Sequence, residues 1–295
     1  MKTVAHCKLL FLAILIGGGI AGCSPNNPDT QYNRGLRYVE GKGVPKDTAE
    51  AVKWFRQAAE QGHAEAQFHL GWMYLNGEGV SEDAAEAAKW LRKAADQGFA
   101  EAQYNLGVMY DNGAGVSQDA TEAVKWYRKA ANQGLAWAQH NLGAMYAEGE
   151  GVPKDAAKAA VKWYRKAADQ GLAEAQYNLG MMCALAEGAP KDTVEAYKWF
   201  NLAAAGGDTD AAKEKEALER ELSRAEIAEG QRRTQAFLEK QAAADREAER
   251  KSDTNLLPGS PLVGQRTSRP AAFRPGCGQS GKTFEKPESG LKVAP

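Results

Sequence analysis

A chain of 295 residues with 43% hydrophobic content can bury one sizeable core or two. Its formal net charge of -1 excludes a general attraction to nucleic acid or to an acidic bilayer. Four cysteines, at positions 7, 23, 183 and 277, are too few and too scattered to build a disulfide framework.

The chain begins MKTVAHCKLLFLAILIGGGIAGCSP, with lysines at 2 and 8, an apolar run from Leu9 to Ile20 and small residues up to Cys23. That is the layout of a secretory signal, and the run is shorter than the roughly 20 residues of a bilayer span. Ile20-Ala21-Gly22-Cys23 resembles the lipobox of bacterial lipoproteins, in which the peptide is cut before the cysteine and the cysteine is acylated. The resemblance implies a lipoprotein signal peptide over 1–22, lipidation of Cys23 and a tether over 23–30. It also implies anchoring in the bacterial cell envelope, and Ser24 looks like an outer-membrane sorting residue, which points to the periplasmic face of that membrane. The alternative is an ordinary signal peptide with an incidental cysteine.

From Pro28 onward the sequence aligns with itself at a period of 36 residues, five times over, with one extra residue before Trp163 in the fourth copy. Each copy predicts two helices. In the first, Ala66, Leu70, Met73 and Tyr74 share one side, and Gly71 leaves room for a close neighbour. The segment NGEGV ends it, with Gly77 suited to a left-handed residue, Gly79 to the turn and Val80 to covering the joint. The second helix opens at Asp83 with Glu86 as an acidic capping pair, repeated as Asp47/Glu50, Asp119/Glu122 and Asp192/Glu195. The copy at Asp155 has Lys158 instead. Ala87, Trp90, Leu91, Ala94 and Ala95 form its apolar face, and Gly98 stops it. A lone helix pair cannot bury two apolar faces, so the pairs must stack.

The motifs A-x-A-Q-[YF]-x-L-G-x-M-Y, G-x-G-V-x-x-D and E-A-x-K-W-[YF]-R-K-A-A resemble the Sel1-like repeat, a relative of the tetratricopeptide repeat. The resemblance implies an all-α, right-handed α-solenoid of five helix pairs over 31–208. It departs at the ends, where Arg34 replaces leucine, Cys183 replaces tyrosine and Ala189 replaces valine, which leaves the packing of the terminal copies open. Some secreted relatives carry a cysteine pair in each repeat and are described as β-lactamase-like, and this chain lacks those pairs.

Beyond Asp208 the pattern reads as a helical cap over 209–251. Ser223 with Glu226 makes a capping box, and Ile227, Thr234, Phe237, Leu238 and Gln241 give a thin apolar stripe. Residues 252–295 are rich in Pro, Gly and Ser and mildly basic, as expected of a disordered tail. The tail contains GCGQSGKT, Gly276 to Thr283, which has the letters of a phosphate-binding loop. Prolines upstream exclude a central strand, and Pro287 interrupts any helix downstream, so no nucleotide is expected there. Ser289 and Lys292 match S-x-x-K letters but lack a helix start and companion motifs. His63, His69 and His140 show no metal-ligand spacing, so neither metal nor cofactor is expected. The recurring K-W-[YF]-R-K clusters read as solvated helix faces whose Trp belongs to the core, and nucleic acid is not an expected partner.

One pattern is left over. On the first helix of the second copy, Phe68, Trp72 and Leu75 lie opposite Leu70 and Tyr74. The matching positions are Tyr32 with Leu36, Tyr104 with Val108, His140 with Ala144 and Tyr177 with Met181, beside which lie Asn33, Asn105, Asn141 and Asn178. In a tetratricopeptide-like stack this side lines the concave groove, with first helices roughly 10 Å apart. The groove is expected to take a protein or peptide, with the asparagines bonding an extended backbone. The other reading has the rings pack only against the adjacent repeat. The leading function is therefore a non-catalytic, lipid-tethered scaffold. A cell-wall or β-lactam hydrolase, by analogy with the cysteine-rich relatives, and an envelope regulator acting through the charged helix and tail are the alternatives.

Overall fold

The computed structural model describes residues 26–152 and 157–254, among which twelve α-helices and no strand are found. The signal region with Cys23, the cap residue Asp155 and the tail with its phosphate-loop letters lie outside the described residues. The chain divides into two units, one up to Glu239 and one from Lys240. In the second unit the described residues continue a helix to Thr254, and those of known exposure are nearly all exposed.

Five first helices, α1 (Pro28–Glu40), α3 (Ala64–Asn76), α5 (Ala100–Asn112), α7 (Ala136–Glu148) and α9 (Ala173–Leu185), alternate with second helices. The latter are α2 (Thr48–Glu60), α4 (Ala84–Asp96), α6 (Ala120–Asn132), α8 (Ala157–Ala168) and α10 (Thr193–Ala205). The first pair starts at Pro28, three residues before the expected boundary, because Asn27 caps the Asp29 amide and proline suits the first turn. The expected aspartate caps are formed: Asp83 accepts from the Glu86 amide at 2.9 Å, and Asp47 and Asp192 do the same for Glu50 and Glu195. The glutamates, however, do not reach back to complete a box. Glu86 instead takes Lys89 Nζ at 2.8 Å and the Trp90 indole N–H at 3.0 Å, three and four residues further along the helix.

Within a pair the helices touch through the glycine of the first. A Cβ at Gly71 would lie 2.8 Å from Leu91, and one at Gly107 or Gly180 would lie 2.7 Å from Tyr127 or Phe200. Ala66, Leu70, Met73 and Tyr74 are buried, as are Ala87, Trp90, Leu91, Ala94 and Ala95. First helices end on a left-handed glycine such as Gly77 (φ 66), whose amide donates to the Met73 carbonyl. The fifth copy puts Ala186 there at φ 61. Ala186→Gly is expected to stabilise the protein by about 0.5–1 kcal/mol, seen as a higher Tm.

Pairs are joined to pairs by polar ties. Arg56 and Arg92 donate to the hydroxyls of Tyr74 and Tyr110 in the next repeat, and Arg128 donates to Tyr146 at 2.6 Å. These arginines come from the K-W-[YF]-R-K clusters, so the solvated-face reading needs correction: Arg56, Arg92 and Arg128 lock neighbouring repeats and Lys93 and Lys129 lie over Trp rings, while Lys53, Lys89 and Lys125 are exposed. A glutamine ladder runs parallel to them. Gln97 donates to Gln67 at 2.7 Å, Gln133 to Gln103 and Gln170 to Gln139 at 2.8 Å. Gln67, Gln103 and Gln139 in turn donate to carbonyls of the preceding second helix. Gln67, Gln103 and Gln139 are buried, and burial would penalise them if they were left unpaired.

The ends resolve the irregular copies. Arg34 and Arg37 stand where Leu70 and Met73 are buried in the second copy. Both are exposed, Arg34 over the Trp54 ring at 4.7 Å, so the first repeat carries its own polar end. Cys183 is buried in the tyrosine position, and burial pushes its thiol pKa up. The expected cap is two helices, α11 (Thr209–Glu221) and α12 (Arg224–Thr254), separated where the Ser223–Glu226 capping box starts the second. Phe237 packs edge-on to Trp199 at 5.4 Å, and Arg233 bonds Asp192 and Glu195 at 3.1 and 3.2 Å, while Leu238 is exposed.

Candidate functional site

The first helices turn one side to the second helices and present the other as a face of rings. Tyr32, Phe68, Tyr104, His140 and Tyr177 are each partly buried, as are Leu36, Trp72, Leu75, Val108, Ala144 and Met181. Neither expected extreme applies. Four of the rings lean on the buried residue of their own pair, Tyr32 on Phe55 at 5.7 Å, Tyr104 on Tyr127 at 6.0 Å, His140 on Tyr164 at 5.5 Å and Tyr177 on Phe200 at 5.9 Å, and Tyr32 also stacks on His63, the cap of the next first helix, at 4.6 Å. In the second copy that partner is Leu91, and Phe68 instead meets Phe99 at 5.0 Å. Core packing thus fixes the rings while part of each remains on the surface, and Trp72 and Leu75 pack against the core in the same half-exposed way. Such fixed, partly solvated rings offer contact area at small entropic cost.

The asparagines divide. Asn105 is half-buried with no side-chain hydrogen bond among the described residues, and Asn33 is exposed. Asn141 and Asn178 are already engaged. His140 Nδ1 lies 3.2 Å from Asn141 Oδ1 and its Nε2 lies 3.0 Å from Asn178 Nδ2, which fits a neutral imidazole carrying its proton on Nδ1. Burial lowers the His140 pKa, in keeping with that form. His140 therefore ties the fourth first helix to the fifth. In the second copy His69 takes the asparagine position, stacked on Phe55 at 5.1 Å and 13°, with its pKa brought down to about 4 by burial.

Beyond the first copy, lysine and arginine are segregated between the helices of a pair. α3, α5, α7 and α9 carry Glu65, Glu101, Asp111, Glu148 and Glu174 and no lysine or arginine. The bases lie on the second helices, where Lys93, Lys129 and Lys198 cover Trp90, Trp126 and Trp199 at 3.8, 3.6 and 3.9 Å. Burial, then Glu65 and Glu40, push the Tyr32 hydroxyl up to about 12. The ring at Tyr177 is raised by burial and then by Glu214, Asp210 and Asp208. The face is thus aromatic and acidic. Leu185, 52% exposed where other copies have Asn or Glu, extends it at one end, and its break with the repeat pattern was the signal that could have found it. Among the described residues no group of His, Cys, Asp and Glu is placed to hold a metal, and no helix is long and apolar enough to cross a membrane.

The sequence pattern of the Sel1 repeat matches residues 28–63, 64–99, 100–135, 138–172 and 173–208. Among solved structures, a Sel1 repeat protein from Oxalobacter formigenes is 39% identical with a TM-score of 0.62. The match covers 66% of this chain and 79% of that one. The protein c5321, a protective antigen present in uropathogenic Escherichia coli strains and displaying an SLR fold, is 36% identical with a TM-score of 0.65. That match covers 71% of this chain and 46% of that one, so this chain spans less than half its length. No curated protein matches the sequence significantly.

Proposed function

Because the chain belongs to the Sel1 repeat family, whose members generally act as protein-binding scaffolds, we propose that it is a lipid-anchored adaptor of the bacterial cell envelope. In this reading the first-helix face holds the partner and acylated Cys23 holds the scaffold at the membrane. The observation that carries it is the ring on every first helix, fixed by the core yet partly exposed. The lipobox-like Ile20-Ala21-Gly22-Cys23 supports the tether, and Ser24 supports a place on the periplasmic face of the outer membrane.

One experiment tests both halves. The full chain is expressed with a photo-crosslinking residue at Tyr104, on the face, or at Lys125, on a second helix, in cells fed labelled palmitate. A specific envelope protein is expected to crosslink from Tyr104 and not from Lys125. The label should enter the chain and vanish in Cys23→Ala. Equal crosslinking from both positions defeats the adaptor reading, and label retained in Cys23→Ala defeats the tether.

A further inference from the structure

The first-helix face carries a pattern that a general protein-binding surface does not need. The second residue of each first helix from the second copy onward is Glu65, Glu101, Trp137 and Glu174. Three are exposed carboxylates, and the fourth is a half-buried indole set edge-on to His140 at 6.3 Å and 80°. Trp137 is therefore an apolar station between two acidic ones at the same height on neighbouring helices. No lysine or arginine on α3, α5, α7 or α9 neutralises the carboxylates. Glu174 is also near enough to His140 to oppose the burial that lowers the histidine pKa, which places its charge on this part of the face.

The geometry points to an extended, cationic peptide as the partner, with an aromatic or large aliphatic side chain on Trp137 and His140 and an arginine on either side meeting Glu101 and Glu174. This rests on the adaptor reading and adds the chemistry of what is bound. Neighbouring helices pack at about 10 Å, so the two glutamates stand roughly 20 Å apart. In the polyproline II form an extended chain rises about 3.1 Å per residue with three residues per turn, so about six residues bridge them, side chains three apart share one side, and the register is Arg-x-x-aromatic-x-x-Arg. Asn105, one turn along α5 from Glu101, is half-buried and has no side-chain hydrogen bond among the described residues. Arginine suits the ends because its planar fork bonds a carboxylate bidentately.

The test uses the full chain and a fluorescent eleven-residue glycine-serine peptide with arginine at positions 3 and 9 and phenylalanine at position 6. Binding is read by anisotropy at low and at physiological salt. The arginine peptide is expected to bind at least about 10-fold more tightly than the same peptide with glutamate at 3 and 9, and to weaken as salt rises. Doubly substituted Glu101→Gln, Glu174→Gln protein, with both side chains on the exposed surface, should lose about 10-fold. The phenylalanine-to-serine peptide should lose about as much. Equal binding of the acidic and basic peptides, no binding of the arginine peptide, or full affinity in the double variant overturns the proposal. If that happens while Tyr104 still crosslinks a specific envelope protein, the adaptor reading stands and the peptide class alone is wrong.

Discussion

Gly115→Ala is expected to cost at least about 4 kcal/mol of folding stability, far more than a methyl group on a surface turn normally costs. Gly115 has φ +67, which already strains an alanine by about 1 kcal/mol. The larger part is steric. A Cβ there would sit 2.2 Å from the Ala84 carbonyl oxygen and 2.7 Å from the Ala85 nitrogen, both backbone atoms in the first turn of α4. No rotamer relieves a clash with backbone, so the loop must lift off the preceding repeat. Gly134→Ala is the control, since its φ is +97 but a Cβ would meet nothing within 4 Å. It should lose only about 1 kcal/mol. Urea unfolding of both variants checks the difference, and hydrogen exchange should show the loosening at α4 and α6. Equal losses would mean that the loop moves freely.

That contact also shows where sequence reasoning stops. The second glycine of G-x-G reads as a turn residue, yet in four copies it is the point at which one repeat touches the last. Gly79, Gly151 and Gly188 approach Thr48, Ala120 and Ala157 as Gly115 approaches Ala84. Periodicity reveals what one helix pair does to itself: the close approach at Gly71, the aspartate caps and the buried alanines were all legible, because 3.6-residue spacing assigns faces within a helix. It does not reveal which residue of one repeat meets which of the next. Arg56 and Tyr74, 18 residues apart, carry no local sign that they will bond, and a basic cluster on a helix resembles any solvated one. The ring positions on the first helices were read from their spacing, but the bonding of the amides beside them was not. Asn141 and Asn178 changed meaning once His140 was seen between them, and that depends on a distance between two helices.

The same substitution pattern sets up an acid response at His69. Its imidazole is enclosed by the Tyr32 and Phe55 rings from α1 and α2 and by Phe68 on its own helix. Burial lowers its pKa to about 4, with Glu65 pulling upward and His63 pushing further down. Above the ordinary value near 6.5 the ring is neutral in folded and unfolded chains, and it contributes no pH dependence. As pH falls from 6.5 toward 4 the unfolded chain takes up a proton that the folded one refuses, so stability drains away across that window and the loss levels off below 4. Between the ordinary value near 6.5 and about 4 the loss approaches roughly 3 kcal/mol. Buried His140, also lowered, acts in the same direction. His69→Asn supplies the residue that Asn33, Asn105, Asn141 and Asn178 provide in the four other copies, so it should fold and keep the His140 contribution. Urea unfolding at pH 7 and pH 4 is expected to show the variant losing about 3 kcal/mol less than the parent between the two. Parallel losses in parent and variant would show that His69 takes its proton inside the folded repeat, and that the stacked rings do not keep it neutral.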